Sequence, residues 1–294
     1  ICKVEILAED EDDLKKLVDL EERIKKQIFG QDKAVDEVTE AVQMASTGLI
    51  DDNKPMASLL FVGPTGVGKT EVAKVLSSEL GIPLIRFDMS EYAEKHTIAK
   101  LIGSPAGYVG YEDGGLLTDA IRKTPHCVLL LDELEKAHQD IYNILLQVMD
   151  YAVLSDNKGQ KADFRHVVII MTTNAGAQYA KQTIGFNNTI QSGDNMMKSV
   201  KSTFKPEFLN RLTSVTIFND MNKEMAKLIL NKKLSTLESQ LLNKKIKLSI
   251  SSTAKEYLLQ VGFSPIYGGR EIDRVITSKV KPLIMRAILH GELR

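Results

Sequence analysis

The chain has 294 residues, 43% of them hydrophobic, enough to bury a full core and long enough to suggest about two domains. Basic and acidic residues balance, 38 against 39, so no basic excess calls for a nucleic-acid partner. No apolar run approaches the ~20 residues that span a bilayer and no secretory n-region precedes Ile1, so no membrane partner is expected and a soluble intracellular (cytoplasmic) protein is.

In chain order, an acidic stretch from Glu9 to Asp13 reads as a solvated linker, and residues 1–27 are set apart as an N-terminal extension. Ser58 to Val62 is a short apolar run, read as a buried strand. It feeds Gly63-Pro64-Thr65-Gly66-Val67-Gly68-Lys69-Thr70, and a helical stretch, Glu71 to Leu80, follows. Strand, glycine-rich loop and helix in that order are the context of a phosphate-binding loop. Glycine geometry turns backbone N–H groups toward the phosphates, with the positive end of the helix behind them. Lys69 is expected to reach the β- and γ-phosphates, and Thr70 to ligate Mg²⁺.

Pro83 to Phe87 is the next strand, followed by the loop Gly107-Tyr108-Val109-Gly110-Tyr111, whose glycines leave Tyr108 and Val109 with no evident core to join. Cys127 to Leu131 is a strand ending in Asp132 and Glu133, at the carboxyl end where parallel sheets place ligand groups. Asp132 is expected to hold Mg²⁺ through water, and Glu133 to act as general base on the attacking water. Acids and phosphate loop together predict a nucleoside-triphosphate hydrolase. The sequence contains no guanine-specific Asn-Lys-x-Asp, so ATP is the expected nucleotide.

Ser155 to Lys161 by itself reads as a hairpin tip, and Val167 to Thr172 as a strand with Thr173 and Asn174 at its polar end. Thr183-Ile184-Gly185-Phe186 leads into a polar run, Asn187 to Asn195, expected to be an exposed loop. Pro206 to Arg211 precedes the fifth strand, Val215 to Phe218. Five apolar runs alternating with helical patterns predict an α/β domain over residues 28–218, a parallel five-stranded sheet flanked by helices on both faces. From Asn219 the pattern changes to amphipathic helices, Lys223 to Leu242 and Ser252 to Val261, with a short strand, Lys247 to Ile250, between them. A final helix, Ile272 to Leu289, is spaced to pack on them, completing a smaller, mostly helical domain over 219–294. Cys2 and Cys127 make no disulfide framework, and the five histidines lack zinc-ligand spacing.

The phosphate loop, the acid pair, Thr172-Thr173-Asn174, Pro206-Glu207-Phe208-Leu209-Asn210-Arg211 and Tyr267-Gly268-Gly269-Arg270, in that order and spacing, resemble the AAA+ ATPases. The closer resemblance is to the second ATPase module of the Hsp100/Clp unfoldases, from about Ile28 to the C-terminus. It extends to Arg86-Phe87-Asp88-Met89-Ser90-Glu91-Tyr92 and Asp163-Phe164-Arg165, which ATP hydrolysis alone would not need. The text around Asp156 to Arg165 is most like the ClpA type. The resemblance implies an AAA+ P-loop NTPase fold with a helical lid. It also implies roles: Asn174 as the sensor that orients water, Arg211 as an arginine finger acting on a neighbouring subunit, Arg270 as a second sensor on the lid, and Ile28 and Phe29 lining the adenine pocket. Read singly, Asn174 is equally a turn former, Arg211 a surface ion pair and Arg270 a first-turn helix residue.

By the same resemblance Tyr108 and Val109 form a pore loop that grips unfolded polypeptide, Ser155 to Lys161 forms a second pore loop, and Ile184, Gly185 and Phe186 dock into a ClpP-type peptidase. Phe186 stands where the ClpA type has Leu, which leaves the affinity for the peptidase open. The implied assembly is a homohexameric ring with ATP and Mg²⁺ at its interfaces. A start at Ile1 and a stop at Arg294 suggest an excised module, whose missing N-terminal region would receive adaptor proteins. Three alternatives stay open: a ClpB-like disaggregase, a nucleotide-gated hexamer scaffold with little turnover, and a nucleic-acid motor, which the charge balance disfavours.

Overall fold

The computed structural model describes residues 16–104, 114–177, 189–264 and 268–290, with the backbone alone at 189–192. They divide into two compact units, one of Ile1–Gly63 with Lys69–Phe218, the other of Pro64–Gly68 with Asn219–Arg294.

In the larger unit α1 (Leu20–Lys25) and α2 (Asp32–Ser46) come first. Leu17, Leu20 and Ile24 are buried, and Arg23 pairs with Glu79 at 2.7 Å, so the region set apart as an extension carries a packed helix. There follow β1 (Ala57–Val62), α3 (Lys69–Leu80), β2 (Leu84–Asp88), α4 (Ile98–Ile102), α5 (Leu116–Lys123) and β3 (Cys127–Asp132). Next come α6 (Gln139–Tyr151), a two-stranded antiparallel ribbon of β4 (Val153–Ser155) and β5 (Lys161–Asp163), and β6 (Val167–Thr173). The unit ends with α7 (Thr189–Thr203), α8 (Pro206–Leu209) and β7 (Ser214–Ile217).

The five-stranded sheet runs β2-β3-β6-β1-β7, all pairs parallel. Every residue of β1, β3 and β6 is buried, which is why these strands read as continuous apolar runs rather than alternating ones. β1 lies between β6 and β7, two strands removed from β3. The chain that leaves β1 for β2 therefore crosses over β6 and β3, and the carboxyl ends of β1, β6 and β3 lie side by side. Tyr142 on α6 packs edge-on against Phe208 on α8 at 5.3 Å, and Phe204, just past α7, stacks on the same ring at 5.9 Å.

The smaller unit holds α9 (Lys223–Leu242), α10 (Ser252–Gly262), α11 (Gly269–Val275) and α12 (Lys281–Leu289). Its core gathers Met225, Leu230, Leu234, Leu258, Leu259, Ile272 and Val275. Asn222 and Ser251 cap α9 and α10 by accepting from Met225 N–H at 2.8 Å and Ala254 N–H at 3.2 Å.

Three expectations are corrected. Lys247 to Ile250 is irregular and pairs with no strand among the described residues; Lys245, at φ 62°, has already turned the chain, and an unpaired strand has nothing to satisfy its backbone. The polar run Asn187 to Asn195 is helical from Thr189 onward, because Met196, Val200 and Phe204 recur on one buried stripe that draws the helix back through it. The final helix is helical throughout Ile272 to Leu289 but not regularly α: a π turn at Ile276–Val280 lies between α11 and α12, just before Pro282, which has no N–H for the helical ladder. α12 buries none of its residues. No helix among the described residues is long and apolar enough to cross a membrane.

Candidate nucleotide site

The site is built from the carboxyl ends of three adjacent strands. Gly63 follows β1 and donates its N–H to the Thr173 carbonyl at 3.2 Å, tying the start of the phosphate loop to β6. Gly66 and Gly68 take φ of 83° and 110°, a region open to glycine and costly to other residues. Lys69 opens α3 and is buried; its ammonium donates to the Gly63 carbonyl at 2.5 Å and to Asn174 Oδ1 at 2.9 Å. The amino group is thus led back along the loop and across to the end of β6. The following residue, Thr70, donates its hydroxyl to Asp132 Oδ2 at 3.5 Å.

Asp132 is the buried last residue of β3. Its Oδ1 accepts from the Thr172 hydroxyl, and its Oδ2 accepts from Arg86 Nη2 at 2.6 Å. A buried carboxylate needs such partners, since leaving it bare would cost several kcal/mol. Glu133 leaves the strand in the left-handed region at φ 58°, and its N–H donates to Thr172 Oγ1 at 3.1 Å. The Glu133 carboxylate pairs with Lys136 one 3₁₀ turn on, and that carboxylate holds the Lys136 ammonium above the usual lysine range. Asn174 donates its backbone N–H to Glu135 Oε1 at 3.1 Å, so the same short turn after β3 also fixes the end of β6.

Thus Lys69, Thr70, Asp132, Glu133 and Asn174 come together in one cluster of the larger unit. Ile28 is buried and Phe29 half-buried just after α1, with Gly30 at φ 74° and Gln31 buried beyond them. Arg211 stands elsewhere: exposed just past α8, it donates to Asp150 Oδ1 at 2.7 Å and Oδ2 at 2.8 Å and to the Glu207 carbonyl at 2.8 Å. Arg270 lies in the first turn of α11 in the smaller unit, exposed, with no hydrogen bond or ion pair among the described residues. Tyr108 and Val109, and Ile184, Gly185 and Phe186, lie outside the described residues.

Ser155 to Lys161 is the tip of the β4–β5 ribbon, and it is held firmly. Buried Asp156 accepts at Oδ1 from Lys158 N–H at 2.9 Å and Gln160 N–H at 2.8 Å, and at Oδ2 from Arg122 at 2.8 Å. Burial pushes its pKa up, but the Gln160 N–H, Arg122 and Lys158 N–H together outweigh that and hold it below the usual carboxylate range.

Sequence reasoning missed two members of the site. Thr172 ends an apolar strand in a segment the family resemblance picks out, but with a role only for Asn174; its partners on β3 are visible only once β3 and β6 are in register, Leu131 opposite Met171. Arg86 belongs to a segment the family resemblance had picked out, without a role.

Hard oxygen donors, a hydroxyl and a carboxylate, at the foot of a glycine loop with a buried ammonium suit a magnesium triphosphate, so the residues present fit that group.

Comparison with known proteins agrees with the fold. Residues 54–215 match the family model described as AAA domain (Cdc48 subfamily), and residues 221–294 match the C-terminal, D2-small domain of ClpB protein. A ClpA homolog protein from Fuscovulum blasticum is 46% identical over 283 residues, covering 96% of this chain and 36% of its own. Chaperone protein ClpB 1 from Thermosynechococcus vestitus is 43% identical over 286 residues, covering 96% of this chain and 33% of its own. The chain therefore spans about a third of the length of these relatives. Among solved structures, S. cerevisiae Hsp104 in complex with casein superposes with a TM-score of 0.87 at 34% identity, over 98% of this chain and 50% of that one. A closed-state reconstruction of Hsp104 with ATPγS and FITC casein gives 0.88, also at 34% identity, over 96% and 50%.

Proposed function

We propose, from the premise that this chain belongs to the AAA+ ATPases of the Hsp100/Clp family as a second ATPase module, that it converts ATP hydrolysis into the unfolding and threading of protein substrates. The observation that carries this reading is the cluster at the carboxyl ends of β1, β3 and β6, where Lys69 meets Asn174 and Thr70 meets Asp132. In the proposal Lys69 binds the β- and γ-phosphates, while Thr70 and Asp132 hold Mg²⁺, which when bound offsets phosphate charge. Glu133 takes the proton of the attacking water once its carboxylate has left Lys136, and Asn174 orients that water. Gly63 to Gly68 cradle the phosphates with backbone N–H groups, and Ile28 and Phe29 line the adenine pocket.

Arg211 acts on the nucleotide of a neighbouring subunit, a role supported by its exposure and by its hydrogen bonds lying outside the cluster. That role requires a ring, and a homohexamer satisfies every interface by cyclic closure. Arg270 reports on the γ-phosphate from the smaller unit, and Tyr108 with Val109 grips the polypeptide. The casein in the Hsp104 structures supports a protein substrate here.

Ile184, Gly185 and Phe186 would hand the substrate to a ClpP-type peptidase, with adaptors bound outside this module. A second reading, a disaggregase of the ClpB type, is favoured by the match of residues 221–294 to the ClpB small domain. The two separate in one experiment: degradation of a folded, tagged fluorescent protein by the full-length parent with its ClpP-type peptidase, compared with a variant lacking residues 184–186. Loss of degradation with unfolding retained supports the peptidase-coupled reading. Unfolding without degradation in both gives the lead to the disaggregase.

A further inference from the structure

Arg86 stands on β2, the edge strand of the sheet. It is in register with Leu130, so it projects on the same face as Asp132, two residues further along β3. Its guanidinium crosses that diagonal and donates to Asp132 Oδ2 at 2.6 Å. The choice of oxygen matters. Oδ2 is the oxygen that lies 3.5 Å from the Thr70 hydroxyl, whereas Oδ1 accepts from Thr172. The two ends of the pair differ in burial: the Asp132 side chain is 8% exposed and that of Arg86 is 47% exposed. The anion is fixed in the protein, while its cation has an open path to solvent.

We propose that Arg86 is a resident counter-cation that competes with the divalent metal for Asp132. The guanidinium neutralises the buried carboxylate when nucleotide is absent and withdraws to solvent when magnesium nucleotide loads, so Arg86 sets the magnesium concentration at which the site fills. This rests on the reading of Thr70 and Asp132 as the magnesium pair. Two arguments support it. A guanidinium on Asp132 Oδ2 occupies the place of a metal-bound water, and it repels a divalent cation held through that water in a poorly solvated site. An arginine that is half in water gives up an ion pair at small cost, whereas Asp132 without any cation would be a bare buried charge.

The test follows binding of a fluorescent ADP, mant-ADP, to the whole 294-residue chain at fixed nucleotide and rising Mg²⁺. Arg86→Gln removes the competing charge and lowers the half-saturating Mg²⁺ about fivefold, the order expected of a charge-assisted pair with one exposed partner. Arg86→Lys keeps the charge and keeps the wild-type midpoint. An Arg86→Gln midpoint that is unmoved or raised, or an Arg86→Lys midpoint that falls with it, overturns the proposal. If wild-type binding ignores Mg²⁺, or Thr70→Ala leaves its Mg²⁺ dependence intact, the magnesium-site reading falls and the proposal with it. Magnesium-dependent wild-type binding with Arg86→Gln superimposed on it overturns the proposal alone.

Discussion

Replacing Thr172 with valine removes one hydroxyl from the middle of the site and leaves the side chain's shape almost unchanged. That hydroxyl donates to Asp132 Oδ1 and accepts the Glu133 N–H at 3.1 Å, in a residue that is 1% exposed. The first bond is to a charged group and is worth about 1.5–3 kcal/mol, the second about 0.5–1.5 kcal/mol. Since neither Asp132 nor the Glu133 N–H gains a new partner from a methyl group, Thr172→Val should destabilise the larger unit by about 2–4 kcal/mol. For a unit of this size that corresponds to a fall in melting temperature of roughly 5–15 °C. Thr172→Ser is the control: it keeps both bonds and loses one buried methyl, for about 1 kcal/mol. The assay is urea unfolding of both variants beside the wild type, with ATP turnover measured on the same samples. Turnover in Thr172→Val should fall at least about tenfold, because the two acids lose their common anchor. If valine is as stable as wild type, or less disturbing than serine, the hydroxyl does not hold the acid pair and the reasoning is refuted.

Burial pushes the Cys127 thiol up to about 12, so in a Cys2→Ser background Ellman's reagent should titrate no thiol at pH 8 until denaturant unfolds the larger unit; rapid labelling of the native protein would contradict the burial of β3. Arg211→Ala breaks a partly exposed pair with Asp150 and an exposed hydrogen bond to the Glu207 carbonyl, and should change stability by about 1 kcal/mol, yet abolish turnover. Mixing it with Glu133→Gln, which keeps Arg211, should restore part of the activity, and a mixture as inactive as its components would count against a role in trans.

The phosphate loop, the acid pair and the five strands were legible because each is local: a run of apolar residues, a glycine spacing, a pair of acids at a strand end. What escaped depends on register between distant strands. Thr172 and Arg86 reach Asp132 from β6 and β2, and nothing within either strand's own sequence distinguishes a ligand-facing residue from its neighbours. Lys136, on Glu133, was hidden in another way, inside a 3₁₀ turn whose left-handed entry at Glu133 no glycine announces. In the smaller unit, Lys247 to Ile250 had the alternation of a strand but no partner among the described residues, and in the larger unit the polar text before Met196 concealed a helix specified further along by Met196, Val200 and Phe204. The last helix read as regular because its apolar spacing continues up to and across Pro282, although the ladder shifts to π spacing at Ile276–Val280 just before it.

The central claim is that one cluster both binds the nucleotide and, through Glu133, cleaves it. The most direct measurement compares wild type with Glu133→Gln for magnesium-ATP binding and for phosphate release on the same preparation. The account predicts that the variant binds ATP as tightly as wild type and releases phosphate at least about a hundredfold more slowly, the usual worth of a positioned base. Turnover at the wild-type rate would contradict it, and so would loss of binding together with turnover, which would make Glu133 a structural support of the site.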